Sequence, residues 1–120
     1  MANILLADDD AAVRDLVRRA LTAEGHSVLV TQDGAEALDY LTTHTGTIDL
    51  IVTDVDMPQL DGVALAREAV KLKPDLAIVL MSGFSDQLDR ASGINAKRFA
   101  SISKPFTLDQ IKTVVRSILA

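Results

Sequence analysis

Short strand-like apolar runs alternate with amphipathic helical stripes along this chain, and the alternation restricts its fold more than any other feature. Most of the runs precede a stretch with apolar residues at helical spacing, and the run 27–31 is rich in β-branched residues. The first stripe consists of Val13, Leu16, Val17, Ala20 and Leu21. Such alternation is typical of a parallel sheet covered by helices in an α/β fold. We therefore expect five strands and five helices in strict alternation.

Four of the apolar runs end on residues that suit phosphoryl chemistry. They end at Asp8 and Asp9, at Asp54, at Ser82 and at Lys104. Because the carboxyl ends of parallel strands share one edge of a sheet, we expect these side chains in one small pocket. Carboxylates, a hydroxyl and an ammonium together suit a hard cation and a phosphoryl group.

The acidic residues of this pocket predict a Mg²⁺ site. Mg²⁺ prefers six oxygen ligands and keeps several waters, so a few carboxylates are enough. We expect Asp9 and Asp54 to be direct ligands, Asp8 to bind through water, and the Asp56 backbone carbonyl to be a third protein oxygen. Without a cation, two like charges about 4 Å apart repel by about 4 kcal/mol at an effective dielectric near 20.

Asp54 is the predicted phosphoacceptor because it ends the central apolar run, and carboxylates form aspartyl-phosphate intermediates. Lys104 would supply a charge for a phosphoryl oxygen, and Ser82 a hydrogen-bond donor. Taken singly, these residues are also compatible with a loop acid, a solvated charge and a turn serine. The acidic triplet is likewise compatible with a helix cap, which is the expected role of Asp10. The placement at successive strand ends favours the shared site.

Length and composition limit the class of protein. With 120 residues we expect one domain over 1–120 and no effector domain. The net charge of -5 and a pI near 4.8 give no basic footprint for nucleic acid. The longest apolar run, 76–81, is far shorter than the roughly 20 residues that span a bilayer. With no cysteine and no signal-peptide pattern, we expect a cytoplasmic protein without nucleic-acid or membrane partners.

Taken together, several segments resemble the receiver domain of two-component response regulators (CheY-like). The segments are 5–10, 53–58 with 61–62, 81–83 and 104–106. The resemblance covers essentially the whole chain. It implies a flavodoxin-like (βα)5 fold, with a doubly wound five-stranded parallel sheet in the order 2-1-3-4-5. It also implies Mg²⁺ near Asp8, Asp9 and Asp54 and a cis Lys104–Pro105 peptide.

The resemblance implies a phosphorylation-dependent switch that catalyses only its own phosphorylation and dephosphorylation. A sensor histidine kinase or a histidine phosphotransferase would pass a phosphoryl group from phosphohistidine to Asp54. Phosphorylation would draw the Ser82 hydroxyl toward the phosphoryl group and shift a face made by the fourth helix, the fifth strand and the fifth helix. The predicted fourth helix is the short polar stretch 85–91. An unidentified protein target would then sense the change.

One position departs from the family pattern. The aromatic residue expected three positions before the lysine is replaced by Ser101, while Phe99 lies two residues earlier on the same side of the strand. Either Phe99 substitutes in the switch, or the switch runs through the fourth helix; Pro105 belongs to the same output region. Segments 4–21 and 99–106 are also similar to CpdR-type stand-alone regulators, which adapt substrates to a Clp-family protease. A Clp-type protease system is therefore one candidate target.

Two other functions compete with the switch. A haloacid-dehalogenase-type phosphatase would explain Asp54 and Asp56 after a strand, together with a later serine and lysine. Three features count against such a phosphatase. Its final acidic motif should follow the lysine, whereas here the acids open the chain, and Pro58 stands where it should have a hydroxyl residue. The chain also has no room for a cap domain. The second competitor is a receiver-like binding module that is never phosphorylated, which would not need the complete acidic set.

Overall fold

A five-stranded parallel sheet forms the centre of the computed structural model, which describes residues 1–83 and 94–120. The strands are β1 (Asn3–Ala7), β2 (Ser27–Thr31), β3 (Leu50–Asp54), β4 (Ala77–Ser82) and β5 (Arg98–Ser103). The helices in the described residues are α1 (Ala11–Ala23), α2 (Gly34–Thr43), α3 (Gly62–Leu72) and α4 (Leu108–Leu119). None of these helices has the length and apolar character needed to cross a membrane. The helix predicted at 85–91 lies outside the described residues, so α4 is the fifth helix of the prediction.

The strands follow the order β2-β1-β3-β4-β5, and every neighbouring pair is parallel. This confirms the predicted flavodoxin-like fold and strand order. The order reverses between β1 and β3, where open α/β sheets form their binding crevice. Ala7 of β1 pairs with Thr53 of β3. The residues that come next, Asp8 and Asp54, therefore project from adjacent strand ends at this crevice.

The three central strands are buried on both faces, and two apolar clusters cover them. One cluster joins the sheet to α1 and α4, and the other joins it to α2 and α3. Every residue of β3 and β4 is buried, whereas β2 and β5 at the two edges alternate in exposure. Near-continuous apolar runs are what strands covered on both faces require. The core therefore provides the favourable burial energy, and the strand ends are left for polar residues.

Each described helix begins at a polar side chain that accepts hydrogen bonds from the first turn. Such caps typically stabilise a helix by about 1 kcal/mol. The predicted capping role of Asp10 is confirmed, because its carboxylate accepts from the Ala12 and Val13 amides. The capping residues are Asp10, Asp33, Asp61 and Thr107, the last in a full capping box with Gln110.

The loop between β3 and α3 is held tightly against the end of β3. The Gly62 amide donates to the Val55 carbonyl at 2.8 Å. A β-carbon added at Gly62 would lie 1.9 Å from the carbonyl oxygen of Asp54. The same carbonyl accepts the Thr53 hydroxyl at 2.9 Å. Only glycine allows α3 to start this close to the backbone of Asp54.

We predict that Gly62→Ala lowers the free energy of unfolding by about 2 kcal/mol or more, because the added methyl group overlaps backbone that cannot rotate away. Urea unfolding followed by circular dichroism measures the change. Gly46→Ala is the matched control, since a β-carbon there meets nothing within 4 Å. Equal stability of the two variants would contradict the close approach.

Candidate functional site

The structure brings the predicted acidic residues and the lysine together at the carboxyl edge of the sheet. Carboxylate oxygens of Asp8, Asp9 and Asp54 lie within 4.8 Å of one another. Lys104 follows β5 and extends back over the end of β4 to reach them. Ser82 ends β4, is buried, and accepts the Lys104 amide at its carbonyl at 2.7 Å. Residues from four strand ends therefore form one site.

Lys104 bridges two of the carboxylates. Its Nζ lies 3.1 Å from Asp8 Oδ2 and 3.1 Å from Asp54 Oδ1. Burial lowers the pKa of the ammonium, but the hydrogen bonds and charges of these two acids outweigh that effect and raise the pKa above its ordinary value. Lys104 is therefore a fixed positive charge inside the acidic cluster at neutral pH. Its peptide bond to Pro105 is cis, as the family resemblance predicted.

Asp8 is the most deeply buried acid, with no exposed surface. Its Oδ1 accepts the Asp10 amide at 2.8 Å, and its own amide donates to the Thr31 carbonyl at 3.3 Å. Its backbone carbonyl accepts Nη1 of Arg14 at 2.8 Å. Burial raises the pKa of Asp8, and the hydrogen bonds from Asp10 and Lys104 offset only part of that effect. Asp9, by contrast, is exposed, so the acidic triplet divides into a buried, an open and a capping residue.

Asp54 ends β3 and retains only 7% of its surface exposed. Its Oδ1 accepts the Val55 amide at 3.0 Å, on the same oxygen that contacts Lys104. Burial and then the Asp8 carboxylate raise the pKa of Asp54 to about 6, although Lys104 and the Val55 amide lower it. The carboxyl group is therefore mostly ionised at neutral pH, but its pKa lies closer to 7 than that of an ordinary aspartate.

The donor set fits a magnesium ion. Three carboxylates are the hard oxygen ligands that Mg²⁺ prefers, and at Mg–O distances near 2.1 Å opposite ligands lie about 4.2 Å apart. Only one pair among three ligands of an octahedral ion can lie opposite each other, and the other pairs lie about 3 Å apart, so oxygens within 4.8 Å of one another must move closer together to share one ion. Asp56 is exposed two residues beyond β3, and the metal contact of its backbone carbonyl stays a prediction.

Two of the residues predicted for the output, Phe99 and Ser101, lie on β5. Phe99 and Ser101 are both exposed, with Phe99 at 41%, and their register partners on β4 are Ile78 and Leu80. They share one side of the strand, opposite the side that packs on α4. Because 84–93 lies outside the described residues, the two predicted routes for the switch stay open.

The contact from Arg14 to Asp8 is the feature of the site that sequence analysis missed. The helical stripe of α1 marks its apolar residues, and nothing in that pattern separates Arg14 from Arg18 or Arg19. Only its position one turn into α1, next to the end of β1, gives a signal.

Comparison with known proteins agrees with this fold. The family model for the response regulator receiver domain matches residues 4–116. Response regulator MprA of Mycobacterium sp. (strain KMS) is 37% identical over 116 residues, which cover 97% of this chain and 50% of that protein. Sensor kinase CckA of Brucella abortus (strain 2308) is 39% identical over 119 residues, covering 98% of this chain and 12% of the kinase.

A solved structure of the same family has a similar fold. The crystal structure of a response regulator receiver protein from Sinorhizobium medicae WSM419 has a TM-score of 0.86 and 35% identity, covering 98% of this chain and 94% of that one. The chain spans about half the length of the MprA regulators that it matches. Neither the phosphatase nor the unphosphorylated module is favoured by these likenesses. The chain belongs to the response regulator receiver domain family of two-component systems.

Proposed function

We propose that Asp54 of this receiver domain accepts a phosphoryl group, with Mg²⁺ held by Asp8, Asp9 and Asp54. The observation that carries the proposal is the ammonium of Lys104 at 3.1 Å from both Asp8 and Asp54, within a cluster of three carboxylates. A purely structural ion pair does not require a third acid beside it, whereas a site for a cation and a phosphoryl group does.

The contacts of Asp54 assign different roles to its two oxygens. Oδ1 is held by Lys104 and the Val55 amide, so Oδ2 is the oxygen that would attack phosphorus. The new Oδ2–P bond forms as the P–N bond to the donor imidazole breaks, and the imidazole leaves with the electron pair. Bound Mg²⁺ would supply neutralisation of the negative charge that gathers on the phosphoryl oxygens. Lys104 and Ser82 would then hold those oxygens through charge and a hydrogen bond.

The phosphoryl donor in this proposal is the phosphohistidine of a sensor histidine kinase or a histidine phosphotransferase, and the exchange takes place in the cytoplasm, where ATP is available to the kinase. Receiver domains are phosphorylated by sensor histidine kinases, and a sensor kinase is among the relatives of this chain. The output would be a change in protein contacts at β5, which carries Phe99 and Ser101, at the segment after it, which contains Pro105, and at α4. A Clp-type protease system stays a prediction for the target.

We predict that incubation with acetyl phosphate and Mg²⁺ adds one phosphoryl group to the wild type and none to Asp54→Asn, because the amide is a poor nucleophile. Intact-mass spectrometry measures the adduct. Asp75→Asn, which changes an exposed aspartate before β4 at the opposite end of the sheet, is the control and should be modified like the wild type. An unmodified wild type, or an equal adduct on Asp54→Asn, would overturn the assignment.

In Mg²⁺-free buffer we predict that the wild type loses stability relative to Asp54→Asn as the pH rises from about 4 to about 7. The pKa of Asp54 is about 6 in the folded chain and 3.8 ordinarily, so between these values the folded state binds a proton that the unfolded state has released. Raising the pH removes that proton and destabilises the fold by up to about 3 kcal/mol.

Urea unfolding at each pH measures this difference. Burial lowers the pKa of His26, which acts in the opposite direction near neutral pH, but both proteins carry that histidine and its effect cancels. If the free energies of unfolding of the two proteins change in parallel across this pH range, the raised pKa of Asp54 is contradicted.

We further predict that Lys104→Ala still binds Mg²⁺ but responds poorly to phosphorylation, because the side-chain ammonium that would follow the phosphoryl oxygens is missing. Amide NMR shifts of β5 and α4 before and after acetyl phosphate measure the response. Lys71→Ala, which removes an exposed lysine paired with Glu68 on α3, is the control. A wild-type shift pattern in Lys104→Ala would exclude the lysine from the switch.

A further inference from the structure

Arg14 contacts the acidic site from α1, through backbone rather than through a carboxylate. Its Nη1 donates to the backbone carbonyl of Asp8 at 2.8 Å. We propose that Arg14 is a positioning residue, which orients the peptide between Asp8 and Asp9 and thereby sets the affinity of the site for Mg²⁺. The inference rests on the proposed function, because it concerns the same metal site.

The peptide bond explains how one hydrogen bond reaches a ligand. The Asp8 carbonyl and the Asp9 amide belong to the same planar peptide group. A donor that fixes the orientation of this carbonyl therefore also fixes the orientation of the Asp9 amide. Asp8 itself is held by its buried carboxylate, through Lys104 and the Asp10 amide. Asp9 is exposed, and the orientation of its backbone therefore depends on the peptide units on either side of it.

The other arginines of α1 show that this contact is specific to one position. Arg18 and Arg19 lie farther along the helix, and both pair with the exposed carboxylate of Asp15. Arg14 is only half-buried and reaches back across the first turn to the end of β1. The three residues carry the same charge, so they separate the effect of position from that of charge.

The sign of the effect distinguishes positioning from simple electrostatics. A positive charge near a cation site repels the cation, so removal of the Arg14 charge alone would tighten Mg²⁺ binding. Loss of an orienting contact instead weakens it, since outer contacts of this kind typically contribute 10-fold or more to metal affinity. The two explanations therefore predict changes in opposite directions.

The test measures Mg²⁺ affinity by isothermal titration calorimetry in wild type, Arg14→Met, Arg14→Lys and Arg18→Met. We expect Arg14→Met to bind Mg²⁺ about tenfold more weakly than wild type. Arg14→Lys should be about threefold weaker, because lysine keeps the charge but lacks the planar fork of the guanidinium. Arg18→Met should bind as tightly as wild type or slightly tighter. Urea unfolding without Mg²⁺ checks that each variant is folded.

A second measurement follows the peptide itself. In Mg²⁺-free protein, Arg14→Met should change the amide NMR shifts of Asp9 and Asp10 and leave those of β2 near wild type, which a general loss of stability would not do. Unchanged or tighter Mg²⁺ binding in Arg14→Met overturns the inference. If Arg14→Met does not fold, wild-type Mg²⁺ affinity in Arg14→Lys overturns it instead. A wild type that binds no Mg²⁺ would instead reject the proposed function.

Discussion

The ammonium group of Lys104 sits between two carboxylates that come from different strands, and most of the architecture serves to keep these three groups together. Asp8 follows β1, Asp54 ends β3, and Lys104 follows β5, and in the sheet β3 and β4 lie between β1 and β5. Two apolar clusters cover the sheet, one on each face. Because stability comes from the core, the strand ends can hold like charges that would be unfavourable on their own.

The formal charges of the site explain why it suits a switch. Asp8, Asp9 and Asp54 contribute three negative charges and Lys104 one positive charge, which leaves two negative charges for a divalent cation to neutralise. A phosphoryl group carries about −1.5 to −2 charges in place of the single charge of Asp54. The balance is then lost unless a positive group or a hydrogen-bond donor moves toward the new oxygens. Lys104 lies on the segment that joins β5 to α4, so its movement would shift both of these elements.

The fold could be predicted almost completely from the sequence, and the site only in outline. Apolar runs and helical stripes located the elements, and the family resemblance supplied the order of the strands. The alternating pattern placed the acids at one edge, but it gave no indication that Asp8 is buried and Asp9 exposed, or that the Asp8 carboxylate accepts a hydrogen bond from Lys104, which lies 96 positions away. The contact of Arg14 was hidden for a similar reason: a long polar side chain on a helix surface has no periodic signal. Register puts Phe99 and Ser101 on one side of β5, yet it does not show whether Phe99 takes the place of the aromatic residue that is missing at Ser101.

The proposed function requires that a divalent cation stabilises this cluster of acids. Urea unfolding of the wild type at increasing Mg²⁺, with ionic strength held constant by NaCl, tests it directly. A cation that binds the folded chain must raise the free energy of unfolding by about 1.4 kcal/mol for each tenfold increase above its dissociation constant. We expect that rise in the wild type and its loss when Asp9 and Asp54 are both changed to asparagine. A free energy of unfolding that is the same in MgCl₂ and NaCl would contradict it.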